Sequence, residues 1–217
     1  MQFNFNVIKL NKFIIHNIMN FHKCSILFLL YALFYIAHGY NLDNLETKSE
    51  KFYEKKENAK KVQDFFHNIL PHYAQFEYAS DLISCLVIAY LALMKFNLIY
   101  QLSGFIFTLV ILRQILIQMT ILPKNEICNI QQSSLLRGGC YDKIFSGHFG
   151  ITFLSTLILY DNGLINKFFA IVVNVVNALF ILLSRCHYTI DIIVSILVVV
   201  IIYQNNLNIC NYLEKYF

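Results

Sequence analysis

The chain has 217 residues, of which 58% are hydrophobic and only 14% are charged. A soluble domain of this length does not need so large an apolar share, so the composition indicates an integral membrane protein. The formal net charge of +4 comes without a dense basic patch, which argues against a nucleic-acid-binding surface.

Residues 1–40 combine a basic polar stretch with the apolar run CSILFLLYALFYIAHGY. The run is short for a complete membrane span. It fits a short first transmembrane helix. It also fits a secretory signal, because Ala37 and Gly39 are small residues at the two positions that a signal peptidase requires. We adopt the retained helix as the working interpretation, and in both cases the chain that follows lies on the far side of the membrane.

Residues 41–78 form the one strongly charged segment, with mixed and nearly balanced signs. Such a pattern predicts a solvated, partly helical loop on the lumenal side, whose charges face water. Four apolar residues within the loop are candidates for contact with the membrane surface: Phe65, Phe66, Ile69 and Leu70.

Residues 79–217 are predicted to form a membrane-embedded catalytic domain. Five apolar segments there are near the length that a helix needs to cross hydrocarbon: 80–100, 102–122, 145–160, 164–184 and 188–205. Backbone polar groups in lipid must be satisfied within each helix. The predicted fold is therefore an all-α membrane protein, a polytopic bundle of six transmembrane helices, or five if the N-terminal segment is cleaved.

Counting spans predicts which connections share a side of the membrane. The loop 41–78, the polar loop 123–144 and the junction 184–190 lie on one side. The N-terminus, the turns at 95–102 and 161–167 and the C-terminus lie on the other. The Lys/Arg bias is weak, so the absolute orientation rests on the basic N-terminal stretch, which places the first group in the lumen or outside the cell.

The six cysteines form no CxxC or other metal-ligand spacing. Most lie in apolar segments, where a free thiol behaves as a small hydrophobe. Cys128 and Cys140 share the polar loop, where a disulfide is possible in an oxidising lumen and two free thiols are the alternative.

Ionisable groups at membrane depth are functional candidates because they are costly there. Arg113 lies in the middle of an apolar segment. It is either a bidentate phosphate clamp or the structural partner of a carboxylate such as Asp81. His148 opens the next apolar segment, and the start of a helix offers free N–H groups to a phosphate.

His187 and Asp191 are four residues apart and share a face if the segment is helical. An aspartate that accepts from one imidazole nitrogen fixes the tautomer and leaves the other nitrogen as a base or nucleophile. The alternative is an ion pair that only ties two helix ends together. Span counting brings His148 to the same face of the membrane, which predicts phosphoryl transfer through a histidine.

In this interpretation His187, oriented by Asp191, attacks the phosphorus of a lipid head group, and His148 protonates the leaving alcohol as general acid. Three nearby cations are the candidates that neutralise the phosphate charge in the transition state: Arg113, Arg185 and Lys143.

Three stretches resemble motifs of the sphingomyelin synthase family, which is related to the lipid phosphate phosphatases. CYDKIFSGHFG is similar to the family's C-G-D-x-x-x-S-G-H-T, with Tyr141 and Phe149 as departures. HYTIDIIVS is close to its H-Y-T-x-D-V-x-x-A, and RQILIQMTILP resembles its R-x-I-T-x-x-x-T-x-L-P. The resemblance covers about residues 70–205.

The resemblance implies a six-helix bundle with a lumenal or exoplasmic active site in the Golgi, the endoplasmic reticulum or the plasma membrane. It implies His148, His187 and Asp191 as a catalytic triad. The implied reaction transfers a phosphoalcohol from a phospholipid donor to ceramide and releases diacylglycerol, with no cofactor and no metal. Arg185 stands where the animal enzymes have a second histidine, so choline, ethanolamine and inositol donors remain open.

Two other functions compete with this one. A lipid phosphate phosphatase uses water as the acceptor, and its family has the motifs P-S-G-H and S-R-x-x-x-x-x-H-x-x-x-D. This chain has Phe145 before its S-G-H and only Cys186 between Arg185 and His187. The other alternative is an inactive membrane relative that binds lipid, and the intact triad argues against it.

Overall fold

The computed structural model describes residues 62–120 and 143–208, and a few helical positions between Leu33 and Tyr53. Two compact units divide the chain, residues 1–38 and 39–217. In the first unit only three helical positions of the predicted first span are described: Leu33, Ile36 and Ala37. The polar loop with Cys128 and Cys140 lies outside the described residues, so its disulfide stays a prediction.

The second unit contains six described helices, and no strand occurs among the described residues. They are α1 (Phe65–Ile69), α2 (Phe76–Met94), α3 (Asn97–Met119), α4 (Gly147–Asp161), α5 (Lys167–Ser184) and α6 (Thr189–Gln204). The all-α prediction is confirmed for this part of the chain.

Three of these helices are long and apolar enough to cross a membrane: α2, α3 and α5. Helix α6 is apolar but has 16 residues, and α4 has 15. The structure therefore supports an integral membrane protein, while the count of six spans stays a prediction.

The predicted apolar segment 80–100 ends later than helix α2, but the predicted turn at 95–102 begins where the structure has it. Helix α2 ends at Met94, and Lys95 leaves the helical conformation with φ −149 and ψ 88. The apolar run continues through Phe96 and Leu98, so the hydropathy of the segment does not mark the end of the helix. The charged Lys95 marks the actual turn, and Asn97 begins the next helix.

Helix α4 is the centre of the bundle, because it packs against α2, α3, α5 and α6. Leu154 and Ile158 of α4 are fully buried, and Leu109 of α3 packs into the same core. The outward faces of the surrounding helices carry exposed apolar side chains such as Leu93 and Phe168. Burying apolar residues inside while exposing others outside suits a bundle surrounded by lipid.

Hydrogen bonds between polar side chains also join α2, α4 and α5 inside the bundle. We call these residues the polar seam. Its three pairs each have polar atoms 2.7 Å apart: Ser80 with Asn177, Ser84 with Thr152, and Thr156 with Asn174. Such bonds stabilise helix association in membranes by roughly 0.6–2 kcal/mol each.

One end of the bundle gathers the starts of α2, α4 and α6. The Tyr73 N–H, just before α2, donates to the Leu183 carbonyl at the end of α5 over 2.9 Å. The Ser146 N–H, at the start of α4, donates to the Asp191 carbonyl near the start of α6 over 3.4 Å. We call this the histidine end, because His148 and His187 both lie there.

The opposite end of the bundle gathers the remaining connections. The Tyr90 hydroxyl, near the end of α2, donates to the Leu164 carbonyl in the turn before α5 over 3.4 Å. The Asn208 amide, after α6, donates to the Gln101 carbonyl near the start of α3 over 2.9 Å. This grouping agrees with the relative sidedness that span counting predicts for the described connections.

Candidate active site

His187 lies in the loop between α5 and α6, two residues before α6 begins at Thr189. The condition for a shared helix face is therefore not met at His187, but the predicted contact between the two side chains is present. Asp191 is the third residue of α6, and its carboxylate turns back over the helix start. There Asp191 Oδ2 accepts hydrogen bonds from the Tyr188 N–H (2.9 Å) and the His187 ring (3.2 Å).

The ring of His187 has a defined tautomer. Its Nδ1 lies 3.2 Å from Asp191 Oδ2 and 3.2 Å from the Lys143 carbonyl oxygen. A carbonyl oxygen can only accept, so Nδ1 carries the proton and donates it. No residue in the described ranges hydrogen-bonds to Nε2. In the neutral ring this nitrogen carries the lone pair. The side chain is buried, so this nitrogen is a candidate nucleophile held in one orientation.

His148 is the second residue of α4, whose start is capped by Ser146. Its Nε2 lies 3.3 Å from Asp81 Oδ1, and both side chains are about 40% exposed. Asp81 was expected as a possible partner for Arg113, but the structure pairs it with His148. The contact places a carboxylate next to the His148 ring at the start of α4. An acidic residue within a predicted span is the signal that identifies Asp81.

Arg113 lies against the turn that precedes His148. Its Nε donates to the Phe145 carbonyl over 3.4 Å. A Cβ atom placed on Gly147 would lie 3.6 Å from the guanidinium carbon. The predicted cation of α3 is therefore next to the start of α4 and to His148.

The other two predicted cations flank His187 and bond to backbone carbonyls. The Lys143 amine donates to the Cys186 carbonyl over 2.7 Å and is almost fully buried. The Arg185 Nη2 donates to the His67 carbonyl over 3.0 Å. Both cations thus hold the loop in place and add positive charge beside the candidate nucleophile.

Two non-glycine residues near the histidines have left-handed backbones. Phe145 has φ 53 and Arg185 has φ 57. This conformation costs roughly 1–2 kcal/mol per residue, and such strain concentrates at functional sites. Proline is confined to φ near −65. The turn before His148 therefore differs from one built on the phosphatase motif P-S-G-H.

Two side chains next to His187 are poor competitors as nucleophiles. Burial raises the pKa of the Cys186 thiol to about 11. Burial, together with the nearby carboxylates of Asp191 and Asp64, raises the pKa of Tyr188 to about 12. Both groups therefore remain protonated at neutral pH, which leaves the His187 imidazole as the available nucleophile in the loop.

The sequence prediction missed two residues of the site, Asp64 and His67. The charged segment was expected to face water, but Asp64 is only 6% exposed. It accepts hydrogen bonds from Thr189 at the start of α6, while His67 Nε2 lies 3.0 Å from the His187 carbonyl. Their signal in the sequence is weak, because one aspartate in a charged run looks like any other.

These features define a helical membrane protein with a His–Asp pair and a second histidine at one end of its bundle. Residues 139–207 match the family PAP2 superfamily C-terminal, and the match includes His148, His187 and Asp191. This part of the chain is therefore similar to the PAP2 superfamily. The similarity is compatible with an enzyme that hydrolyses or transfers phosphate esters of lipids. No curated protein and no solved structure matches the chain significantly.

Proposed function

We propose that the chain transfers a phosphoalcohol head group from a glycerophospholipid to ceramide through a phosphohistidine and releases diacylglycerol. The observation that carries this proposal is the tautomer of His187. Two acceptors face Nδ1, the Asp191 carboxylate and the Lys143 carbonyl, so Nε2 is the nitrogen with a lone pair. A neutral imidazole oriented in this way is a competent nucleophile for phosphorus.

In the first half of the reaction, His187 Nε2 attacks the phosphorus of the donor lipid. The bond between phosphorus and the glycerol oxygen breaks, and His148 gives its proton to that oxygen, so diacylglycerol leaves. Asp191 stabilises the positive charge that develops on the phosphorylated ring. Arg113 of α3, which lies next to the start of α4, stabilises the negative charge on the phosphate oxygens.

In the second half, the primary hydroxyl of ceramide attacks the same phosphorus. His148, now neutral, takes the hydroxyl proton, and Asp81 stabilises the imidazolium that forms. The bond between phosphorus and Nε2 breaks and returns His187 to its starting form. The product is a phosphosphingolipid, and both histidines regain their original protonation.

The depth of the site supports a lipid substrate. Arg113, which contacts the start of α4, lies six residues before the end of α3, or about 9 Å along the helix axis. Asp81, which contacts His148, lies five residues inside α2, or about 7.5 Å. The start of α4 is therefore recessed below the ends of its neighbours. A phosphate at head-group level reaches such a recess while its acyl chains stay in the bilayer.

The test uses the chain produced without cells in defined liposomes, with fluorescent ceramide as the acceptor. Phosphatidylcholine, phosphatidylethanolamine and phosphatidylinositol are supplied separately as donors, and His187→Ala is the control. We expect one donor to give a new phosphosphingolipid, with no product from the variant. Full activity of His187→Ala would refute the assignment of the nucleophile.

Lipid phosphate hydrolysis is the second candidate, because the family match fits it equally well. The left-handed Phe145, where that family's motif has proline, speaks against it. Phosphatidic acid in the same liposomes separates the two functions. Phosphate release from phosphatidic acid without transfer to ceramide would establish the phosphatase. Neither activity in a folded sample would leave an inactive lipid-binding relative.

A further inference from the structure

A single carboxylate, that of Asp64, caps two helices at once. Its Oδ1 accepts from the His67 N–H of α1 over 3.0 Å. The same oxygen accepts from the Thr189 hydroxyl over 2.8 Å, and Oδ2 accepts from the Thr189 N–H over 2.7 Å. Thr189 is the first residue of α6. Asp64 therefore joins the short helix α1 to the start of α6, which lies 125 residues further along the chain.

His67 and Arg185 add a second pair of bonds between α1 and the same loop. His67 Nε2 lies 3.0 Å from the His187 carbonyl oxygen, so this nitrogen carries the proton and donates. In return, Arg185 Nη2 donates to the His67 carbonyl over 3.0 Å. The ring of His67 also packs against that of Tyr188, with 5.4 Å between their centroids.

These bonds fix the loop on both sides of His187. Arg185 is held two residues before it and Thr189 two residues after it, and the carbonyl of His187 itself is bonded. A loop with a left-handed residue at Arg185 needs such support, because its backbone conformation is intrinsically unfavourable. Lys143 supports the loop from the other side through the Cys186 carbonyl.

We propose that Asp64 and His67 are positioning residues, which hold the His187 loop so that Nδ1 faces Asp191 and Nε2 faces the substrate phosphate. This inference rests on the proposed function. The buried carboxylate of Asp64 accepts three described hydrogen bonds, and all three come from protein groups. Its loss therefore affects the rate of phosphoryl transfer and not the binding of the donor lipid.

The experiment compares variants of the full-length chain in liposomes. Asp64→Asn replaces one acceptor oxygen by an NH₂ group. An NH₂ group that faces the Thr189 N–H cannot accept its hydrogen bond, so that bond is lost. We expect a fall of about 10- to 100-fold in kcat, the range typical of residues that orient catalytic groups. KM for the donor should change little. Asn68→Ala on the exposed side of α1 is the matched control, and we expect it to behave like the unmodified chain.

Conservative substitutions separate positioning from a general loss of folding. Thr189→Ser keeps both bonds to Asp64 and should keep kcat, whereas Thr189→Val loses the hydroxyl bond and should lower it. His67→Gln keeps an N–H donor and should retain more activity than His67→Leu. A normal kcat in Asp64→Asn and in His67→Leu would overturn the proposal.

A readout that does not need activity distinguishes this inference from the proposed function. Cys186 lies in the His187 loop that Asp64 and His67 hold. The rate of its alkylation is followed by mass spectrometry of the peptide that contains it. Releasing α1 should expose the thiol and speed its alkylation in Asp64→Asn. If the unmodified chain has no activity, the proposed function fails. Faster alkylation of Cys186 in Asp64→Asn would still support the proposal that α1 holds the His187 loop. An unchanged alkylation rate in that variant would overturn this proposal as well.

Discussion

The proton on Nδ1 of His187 determines what the other ring nitrogen can do. Asp191 and the Lys143 carbonyl both accept this proton, but only Asp191 brings a negative charge. Asp191→Asn should therefore keep much of the ring orientation and lose the stabilisation of the charged, phosphorylated ring. We expect kcat to fall about 10³-fold, somewhat less than where an aspartate is the sole orienting group.

Steady-state kinetics and thermal unfolding of Asp191→Asn are measured together. Asp191 also caps α6 through the Tyr188 N–H, so a modest loss of stability is expected in the variant. A variant that is less stable but turns over normally would reduce Asp191 to a helix cap.

Gly147 provides a test of the phosphate position that leaves the fold intact. Its backbone does not require glycine, because only Gly163 among the described glycines has a positive φ. A Cβ on Gly147 would find its nearest neighbours at 3.6 Å, an ordinary contact with the Arg113 guanidinium. Gly147→Ala should therefore keep thermal stability, since alanine favours helix more than glycine does.

The added methyl group of Gly147→Ala would occupy the space beside Arg113 in which we place the phosphate. We expect a higher KM for the donor lipid and a lower kcat/KM, measured in liposomes beside the melting temperature. Gly163→Ala, at the opposite end of the bundle, should show the reverse pattern. Its φ of 67 strains an alanine and should lower the melting temperature, while KM for the donor should not change. Unchanged kinetics in Gly147→Ala would move the phosphate away from this space.

The pKa values of the two positioning residues, Asp64 and His67, predict how the stability of α1 depends on pH. Burial lowers the pKa of His67 below its usual range. Burial alone would raise the pKa of Asp64, but hydrogen bonds from Thr189 and the His67 N–H lower it overall. Both groups therefore stabilise the fold fully above their unfolded pKa values, about 6.5 and about 4, and lose that contribution as the pH falls through their lower folded values.

Hydrogen exchange of residues 62–70 as a function of pH measures this effect. Protection should decrease below about pH 6.5 as His67 protonates, and again below about pH 4 as Asp64 does. His67→Gln does not titrate, so its protection should show only the second decrease. Protection in the unmodified chain that stays constant from neutral pH to pH 4 would contradict the expected role of His67.

At the residue scale, sequence reasoning identified side chains that stand out against their surroundings. His148, His187 and Asp191 are conspicuous because they interrupt apolar segments. Asp64 and His67 lie in a charged loop, where nothing marks one polar residue as buried. Their contacts join positions more than 115 residues apart, and only the fold brings them together.

At the scale of elements, the polar seam links helices through bonds that lipid cannot replace. Ser80 donates to Asn177, whose side chain is fully buried and whose Nδ2 has no partner among the described residues. Asn177→Leu removes that unpaired group but leaves the Ser80 hydroxyl without its acceptor. We expect a loss of about 1–2 kcal/mol in the free energy of unfolding.

The double variant Ser80→Ala/Asn177→Leu removes both polar partners. It should recover most of the lost stability, because an apolar pair of similar shape is nearly neutral. Unfolding in mixed micelles with a reversible denaturant gives the free energies of both variants. A double variant that is less stable than Asn177→Leu would show that the Ser80 hydroxyl has another role in the seam.

The hydropathy of the sequence predicts where the helices lie, but it does not predict the residues at which they end. Apolar runs indicated α2 to α6, but the early end of α2 depends on one charged residue, Lys95. The geometry of the loop at His187 could not be predicted from the sequence either. Its shape depends on the left-handed Arg185 and on side chains from α1, neither of which has a periodic signature.

At the scale of the whole molecule, the recessed histidine end explains why long and short helices are combined. Helix α3 has 23 residues and measures about 34 Å, whereas α4 and α6 with 15 and 16 residues measure about 23 Å. The shorter helices cannot reach both surfaces of a hydrocarbon layer of about 30 Å. The start of α4 contacts Arg113 and Asp81, which both lie inside their own helices, so we expect this end of α4 to lie below the surface of the bilayer.

The last prediction concerns the side of the membrane that this recess faces. Asn68 lies on α1 at the histidine end, and Lys167 starts α5 at the opposite end, and both are exposed. Single cysteines are placed at these two positions after the native cysteines are replaced by serine. In sealed microsomes an impermeant maleimide should label Lys167→Cys directly and Asn68→Cys only after detergent opens the vesicles, because the basic N-terminal stretch favours a lumenal histidine end. The reverse pattern would turn the site toward the cytosol, where lipid donors and acceptors of the other leaflet would be used. Equal labelling of both positions in sealed vesicles would mean that the bundle does not separate its two ends across the membrane.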